Sequence, residues 1–187
     1  MKEIRTTIYV VLVLSLLLGI LYPLLVTGIG QLAFPWRASG SLVTVSGRVV
    51  GSELIGQQFA SPRYFHGRPS ASDYNALASG ASNFGPSNAS FLALVRERVA
   101  ALRTEEGLPD RAAVPADLVL ASGSGLDPDI SVEGALVQVR RIAETRELDS
   151  VVVRNLVERM AVAPFLGAFG ERRVNVLRLN LALDALS

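Results

Sequence analysis

Residues 7–29 read TIYVVLVLSLLLGILYPLLVTGI, and no charged side chain interrupts them. A helix of about 20 apolar residues crosses the hydrocarbon core of a bilayer, so this stretch is long enough to span it. Inside lipid, every backbone N–H and C=O has to be hydrogen-bonded within the segment, which favours a helix. Pro23 predicts a kink in that helix or its outer end. The stretch therefore predicts a single N-terminal transmembrane α-helix that anchors the chain in the bilayer.

A cleaved signal peptide is the alternative interpretation of the same stretch. Its apolar core would have about 7–15 residues and would be followed by a small-x-small cleavage site. The observed stretch is longer, and residues 28–30 (Gly-Ile-Gly) form a poor cleavage site. Tyr9 and Tyr22 lie near its ends and Phe34 and Trp36 follow it, as aromatic anchors at membrane interfaces do. We therefore expect the helix to be retained.

The flanking charges predict the orientation of this helix. Lys2 and Arg5 precede it, and the next basic residue is Arg37. Since basic flanks stay on the cytoplasmic side, the N-terminus is expected there and the rest of the chain outside. One helix cannot enclose a pore, so a transport role would need partner subunits. The predicted organisation is residues 1–6 in the cytoplasm, 7–29 in the membrane, 30–40 as a juxtamembrane linker and 41–187 as one extracytoplasmic α+β domain.

Composition excludes several classes of function. Beyond residue 36 the chain carries equal numbers of basic and acidic residues, so it has no electrostatic footprint for nucleic acid. Lys2 is the only lysine, which leaves the domain without a Walker A lysine or the Asp-Lys-Thr-Gly core of a P-type ATPase. The absence of cysteine excludes disulfides, thiol catalysis and thiolate metal sites. Without those lysine motifs, the chain is not itself a nucleotide hydrolase of the Walker A kind or of the P-type kind.

Local patterns predict strands at both ends of the domain and helices between them. Residues 41–60 alternate as a short hairpin does, and the leucines over residues 174–183 alternate as in a strand. Three amphipathic stretches between them are typical of helices. These helices are predicted from Ser87 or Asn88 to Glu106, from Asp129 or Ser131 to Arg146, and from Asp149 or Ser150 to a stop at Pro164. The order predicts an α+β domain.

Residues 61–90 form a long segment rich in Ser, Gly, Asn and Pro. Its length exceeds that of a simple connection, so it is either functional or disordered. Tyr64, Phe65, Tyr74 and Phe84 argue against disorder, because disordered segments contain few aromatic residues. Two interpretations stay open: a surface that binds a partner, or an irregular lid packed by its own aromatic rings.

Enzymatic chemistry finds little support in the sequence. Ser124, His66 and Asp127 or Asp129 could nominally make a nucleophilic triad, yet the Gly-Ser-Gly string lacks the spacing of a nucleophile elbow. The single histidine and the scattered carboxylates predict no metal site, and residues 127–129 (Asp-Pro-Asp) resemble only half of a calcium loop. We predict no catalytic residue and no metal.

Ser122, Gly123, Ser124 and Gly125 are candidates for an anion-binding loop. A glycine-rich loop that opens onto a helix N-terminus exposes backbone N–H groups to an anion. Asp127 and Asp129, however, stand where a phosphate would lie. The alternative interpretation is a tight turn followed by an aspartate that caps the next helix.

Several uncommon strings run through the chain in a fixed order. They are Gly51-Ser-Glu-Leu-Ile-Gly-Gln57, Phe59 with Pro62, Tyr64-Phe-His-Gly-Arg-Pro-Ser70, Ser82-Asn83, Gly85-Pro86-Ser-Asn88, Ala121-Ser-Gly-Ser-Gly-Leu-Asp-Pro128 and the terminal Arg173-Val-Asn-Val-Leu177 with Asn180. With the N-terminal helix, they closely resemble the KdpC family, the small C subunit of the bacterial Kdp potassium-transporting ATPase. Ala81, Phe84 and Asp129 depart from the family pattern.

The resemblance implies a bacterial inner-membrane complex with a channel-like A subunit, a P-type ATPase B subunit and a small F peptide. It also implies a catalytic chaperone that raises the affinity of the B subunit for ATP. The predicted topology instead places the domain away from cytoplasmic ATP, where it would cap the outer mouth of the A subunit. The alternatives are a membrane-anchored extracytoplasmic hydrolase and a free-standing ligand-binding or sensor domain.

The long loop supplies the candidate partner-binding residues. Residues 62–88 combine aromatic rings, arginines and amides, the mixture that protein interfaces favour. The candidates are Tyr64, Phe65, His66, Arg68, Tyr74, Asn83 and Asn88.

Overall fold

The computed structural model of the chain describes residues 2–186. They form two compact units, one up to Val50 and one that begins at Gly51. The first unit contains the N-terminal helix, and the second contains most of the predicted domain. The predicted boundaries between cytoplasm, membrane and exterior stay predictions.

The first unit begins with a continuous helix over Lys2–Ala33 whose mean hydropathy reaches 2.6, long and apolar enough to cross a membrane. It consists of α1 (Lys2–Leu16), a π-helical turn (Leu17–Leu21) and α2 (Tyr22–Ala33). Pro23 has no N–H for the usual helical bond, and the wider π turn directly before it lets the helix continue. Pro23 therefore does not end the helix.

A short helix and a hairpin follow. Helix α3 covers Pro35–Ala38, strand β1 covers Leu42–Val45 and strand β2 covers Arg48–Ser52. Ser46 and Gly47 join the strands with φ angles of 50° and 78°, as in the tight turns that match the twist of a hairpin. The predicted hairpin is confirmed.

Helix α4 (Ala89–Glu106) begins the helical part of the second unit. The Asn88 side chain accepts a hydrogen bond from the Phe91 N–H at 3.0 Å, and Gly107 ends the helix with a left-handed φ of 59°. Both boundaries of this helix were predictable because the capping signals are local.

The second predicted helix is split at Gln138 into α5 (Val132–Val137) and α6 (Val139–Arg146). The Gln138 side chain donates to the Gly134 carbonyl, which would otherwise accept the Gln138 N–H in a regular helix. That N–H bonds to the Ala135 carbonyl instead. Helix α7 (Ser150–Met160) follows and is capped by Asp149.

The predicted final strand is wrong for most of its length. Only Arg173–Asn175 is a strand, β4, which pairs antiparallel with β3 (Asp129–Ser131). Residues Val176–Asp184 form helix α8, capped by the Asn175 side chain. Alternating leucines also contain pairs with helical spacing, and the fully buried Leu179 and Leu183 form such a pair.

The core of the second unit lies between helices α5–α8 and the β3–β4 pair. Phe65 from the long loop joins it. Its buried members are Phe65, Leu118, Ile130, Val132, Ala135, Val139, Ile142, Ala143, Val153, Leu156, Val157, Val174, Val176, Leu179 and Leu183. The predicted fold class, one apolar helix and an α+β domain, is confirmed.

Candidate functional site

Arg141 on helix α6 orders the start of the long loop. Its side chain is 7% exposed. The guanidinium donates to the Pro62 carbonyl at 2.6 Å and to the Tyr64 carbonyl at 3.0 Å. It also donates to the Gln138 amide oxygen and to the Glu106 carboxylate, both at 2.9 Å. One buried side chain therefore satisfies loop carbonyls that no strand or helix satisfies.

Glu106 balances the charge of Arg141 inside the domain. Its side chain is fully buried, and burial raises the pKa of this carboxyl while the Arg141 hydrogen bond opposes that rise. Its Oε2 atom has no hydrogen-bond partner among residues 2–186. A buried ion pair of this kind is sensitive to the loss of either partner, because the remaining charge is left uncompensated.

His66 connects the loop to the same ion pair. Its backbone N–H donates to the Gln138 side chain at 2.7 Å. In its ring, Nε2 lies 3.1 Å from the Ser61 carbonyl and Nδ1 lies 3.3 Å from the Glu105 carboxylate. Burial and then the Arg141 charge lower the pKa of the His66 ring, although the Ser61 bond and Glu105 oppose this. Because the Ser61 carbonyl can only accept, the ring donates to it from Nε2.

Tyr64 is held from the opposite side by Arg146. The Arg146 guanidinium lies 4.9 Å from the centre of the Tyr64 ring, a cation–π distance, and donates to Asp184 at 2.7 Å. The Tyr64 hydroxyl donates to the same carboxylate at 3.2 Å, and Arg146 also donates to the Arg63 carbonyl. These contacts use the polar atoms of Tyr64 within the domain.

Arg68 and Tyr74 close the middle of the loop. Arg68 donates to Asp127 at 2.9 Å, and the Tyr74 hydroxyl donates to the Arg68 carbonyl at 2.6 Å. Burial raises the pKa of Tyr74. The Arg68–Asp127 pair also lines a cleft of about 570 Å³, so part of Arg68 stays accessible.

Phe65 cannot present its ring to a partner, because none of its surface is exposed. Its N–H donates to the Asn180 side chain at 2.8 Å, and the Asn180 amide donates back to the Phe65 carbonyl at 3.0 Å. The prediction that Phe65 contacts a partner is therefore wrong, and Phe65 belongs to the core. Asn83 is exposed with a φ of 54°, and Asn88 is the exposed cap of α4.

The structure thus brings Tyr64, His66, Arg68 and Tyr74 into one internally bonded loop, and it leaves Asn83 and Asn88 at the surface. The residues that hold this loop were missed by the sequence reasoning. They are Gln138, Arg141, Arg146 and Asn180, which the helical patterns do not distinguish from surface residues. One signal was available: a long loop with many carbonyls needs buried donors from elsewhere.

The loop over Ser122–Gly125 does not open onto a helix, because strand β3 lies between it and α5. The Gly125 N–H donates to the Ser122 carbonyl, and the Leu126 N–H donates to the Ser124 hydroxyl. Gly125, with a φ of 69°, packs against the Gly80 carbonyl. The tight-turn interpretation therefore fits these residues, whereas anion binding does not.

The nominal triad is not assembled either. The ring of His66 faces Ser61 and Glu105, Asp127 pairs with Arg68, and Asp129 pairs with Arg173 at 2.8 Å. The Ser124 hydroxyl accepts from a backbone N–H of its own turn. Ser124 therefore has none of the partners that would activate it.

The structure thus defines a class of protein in which one helix, long and apolar enough to cross a membrane, precedes an α+β domain whose longest loop begins on buried arginines. A family model described as "K+-transporting ATPase, c chain" matches residues 4–185. The chain belongs to this family, KdpC.

Curated relatives cover the whole chain. It is 52% identical to the potassium-transporting ATPase KdpC subunit of Gemmatimonas aurantiaca, covering 100% of this chain and 94% of that protein. It is 51% identical to the subunit of the same name from Cereibacter sphaeroides and 52% identical to that from Methylococcus capsulatus, each covering 99% of this chain and 98% of the relative. The predicted family is confirmed, and with it the prediction of an accessory, non-catalytic subunit.

Proposed function

We propose that this chain is the C subunit of a potassium-transporting ATPase and contributes to assembly and stability of the pump. The observation that carries the proposal is the match to the family over residues 4–185, with relatives half identical across their length. In this proposal the helix over Lys2–Ala33 is retained as a membrane anchor. The second unit is a preformed binding body, because buried arginines fix its longest loop before any partner arrives.

Orientation is a separate part of the proposal. Lys2 and Arg5 keep the N-terminus in the bacterial cytoplasm, so the second unit lies outside the plasma membrane. There it covers the outer mouth of the channel-like A subunit, while the helix packs beside the membrane parts of the A, B and F subunits. The half-buried Arg68 and the exposed Asn83 and Asn88 remain candidates for these contacts.

ATP affinity is the other role that the family implies. The candidate anion loop over Ser122–Gly125 does not favour a nucleotide: the N–H groups of Gly125 and Leu126 are used inside their own turn, and Lys2 is the only lysine in the sequence. An effect of this subunit on ATP use would therefore pass through its contacts with the B subunit.

Purification under potassium limitation tests the subunit proposal. The affinity-tagged full chain, expressed with the other pump subunits and extracted in mild detergent, is expected to recover them in fixed ratio. Recovery of the chain alone, with the partners present in the extract, would refute the proposal and favour a free-standing sensor or hydrolase.

Protease added to intact spheroplasts tests the orientation independently. The proposal expects digestion of the second unit there and protection of the same unit in inverted vesicles. The reverse pattern would place the domain in the cytoplasm and restore direct contact with ATP as a possibility.

A further inference from the structure

Between helix α7 and strand β4 the chain presents apolar side chains to solvent. Residues 161–170 read AVAPFLGAFG and contain no charge. Phe165 is 70% exposed, Leu166 78% and Phe169 67%. We call residues 164–169 the apolar tip. The largest contiguous apolar patch on a soluble domain is commonly a few hundred Å² and is often functional.

The apolar tip has a fixed shape. The Phe165 N–H donates to the Phe169 carbonyl at 2.8 Å, and the Phe169 N–H donates back to Phe165 at 3.0 Å. Leu166 and Gly167 turn the chain with φ angles of 53° and 73°. A turn that is already closed loses little conformational entropy when it docks, so its apolar surface contributes more fully to binding.

The base of the tip is tied to the domain, and the arginines at 172 and 173 beside it are paired. Val162 and Arg173 exchange backbone hydrogen bonds of 2.8 and 3.2 Å, which join the base to β4. The guanidinium of Arg173 pairs with Asp129, and that of Arg172 pairs with Glu158, each at 2.8 Å. The tip can therefore lose water without leaving an unpaired arginine beside it.

We propose that the apolar tip inserts into an uncharged, apolar crevice on another membrane-held subunit of the same pump. This inference rests on the proposed function of the chain as a pump subunit. Three side chains supply a few hundred Å² at most, well below the roughly 800 Å² per partner of a stable independent interface. The tip is thus an anchor for a partner that is already held nearby, as the subunits of one membrane complex are.

The same observations disfavour the other occupants. A freely diffusing second copy of this chain would need a larger area than the tip offers. A fluid bilayer gains nothing from the closed turn between Phe165 and Phe169, whereas a protein crevice of matching shape does. Charge complementarity also requires an uncharged crevice, because residues 161–170 offer no ionic partner.

Recovery of partner subunits from the full complex tests the inference. A chain with Phe165→Ser, Leu166→Ser and Phe169→Ser is expected to recover the other subunits about tenfold less well, as loss of buried anchor residues does. Val151→Ser is the matched control, because Val151 is 57% exposed on helix α7, outside both the long loop and the tip, and its recovery should be unchanged. Undiminished recovery of partners by the triple variant, with normal recovery by the wild type, refutes the tip inference alone.

A second variant separates shape from apolarity. Gly167→Ala keeps every apolar side chain but strains the turn, because residues with a Cβ rarely adopt a φ of 73°. The added Cβ meets no other atom within 4 Å, so the strain comes from the backbone conformation alone. The variant's recovery of partners should also fall, while the melting temperature of the full chain in detergent stays close to that of the wild type. Wild-type recovery by this variant would contradict the need for a preformed turn.

A photo-crosslinking residue at Leu166 in the assembled pump identifies the occupant. A covalent product with another subunit supports the proposal. Products with lipid, with a second copy of this chain, or with no macromolecule at all would overturn it. If the wild-type chain recovers no subunits at all, the proposed function fails first and the tip inference fails with it.

Discussion

The long loop, which in the structure ends at residue 88 directly before α4, and the apolar tip at 164–169 are both irregular. They use their side chains in opposite ways. At the start of the long loop, the carbonyls of residues 62–65 and the ring of Tyr64 are bound by Arg141, Arg146 and Asn180. In the apolar tip, the backbone binds only itself and the large side chains face solvent. Turn-rich composition therefore does not define a free surface. A segment is free to bind a partner when the rest of the domain does not already bind its side chains and backbone groups.

Among the variants considered, loss of Arg141 should lower the free energy of unfolding most. Arg141→Met leaves the Glu106 carboxylate buried without its counter-charge and two loop carbonyls without donors. We expect the free energy of unfolding of the second unit to fall by about 3–5 kcal/mol. Chemical denaturation of the full chain in detergent measures it, with exposed Arg154→Met as the control.

The double variant Arg141→Met, Glu106→Gln sharpens that result. It removes the uncompensated buried charge, so it should regain part of the lost stability. If Arg141→Met unfolds at the same denaturant concentration as Arg154→Met, the buried ion pair does not hold the long loop.

The sequence predicted those parts of the fold that depend on neighbouring residues. The Asn88 cap and the Gly107 stop define α4, and the alternation before β2 defines the hairpin. It could not predict the break at Gln138, because the competing bond comes from a side chain fixed by the distant His66. It misassigned α8 because alternating leucines satisfy both a strand and a helix.

The candidate site was predicted by location but not by role. The resemblance and the composition both directed attention to residues 62–88, yet Phe65 is buried and the Tyr64 hydroxyl is bonded within the domain, while most residues from 71 to 88 are exposed. The apolar tip was treated as the end of a helix at Pro164, because a short uncharged run after a helix resembles a simple turn. Exposure, which decides between these roles, is a property of the packed structure.

Loss of Asn180 should have the next largest effect. Asn180→Ala leaves the N–H and carbonyl of Phe65 buried without partners. Unsatisfied buried groups are costly, so we expect a loss of about 2 kcal/mol in the free energy of unfolding. Asn155→Ala on the exposed face of α7 is the matched control and should change little. Equal melting of the two variants would show that this pair does not fix the loop.

The pH dependence of stability should carry a smaller contribution from His66. Burial and the Arg141 charge lower the pKa of the folded ring from 6.5, so the unfolded chain binds more protons between that lowered value and 6.5. Stability from this residue is therefore present above 6.5 and is lost as the pH falls through that window.

The variant His66→Gln isolates this contribution. Urea unfolding at about pH 7.5 and about pH 5.5 should show a larger loss on acidification for the wild type than for the variant. The raised pKa of Glu106 is common to both and cancels in the comparison. An equal or larger loss for the variant would contradict the lowered pKa of the half-buried His66 ring.

The smallest effect is expected at the apolar tip. Leu166→Ser removes an apolar side chain that is mostly exposed, so the free energy of unfolding should change by no more than about 0.5 kcal/mol. Thermal denaturation of the full chain measures it. A loss as large as that of Asn180→Ala would mean that the tip is part of the core of the domain.

Hydrogen exchange of the full chain, alone in detergent and in the assembled pump, tests the contrast between the two segments most directly. The Phe65 amide is buried, that of His66 is partly buried, and both are hydrogen-bonded to side chains, so they should exchange slowly in both samples. The hydrogen bonds of the apolar tip lie at the surface, so the amides of residues 165–169 should exchange faster than those of Phe65 and His66 in the chain alone and become more protected in the pump. Protection gained over residues 61–88 while residues 165–169 stay unprotected would contradict the account.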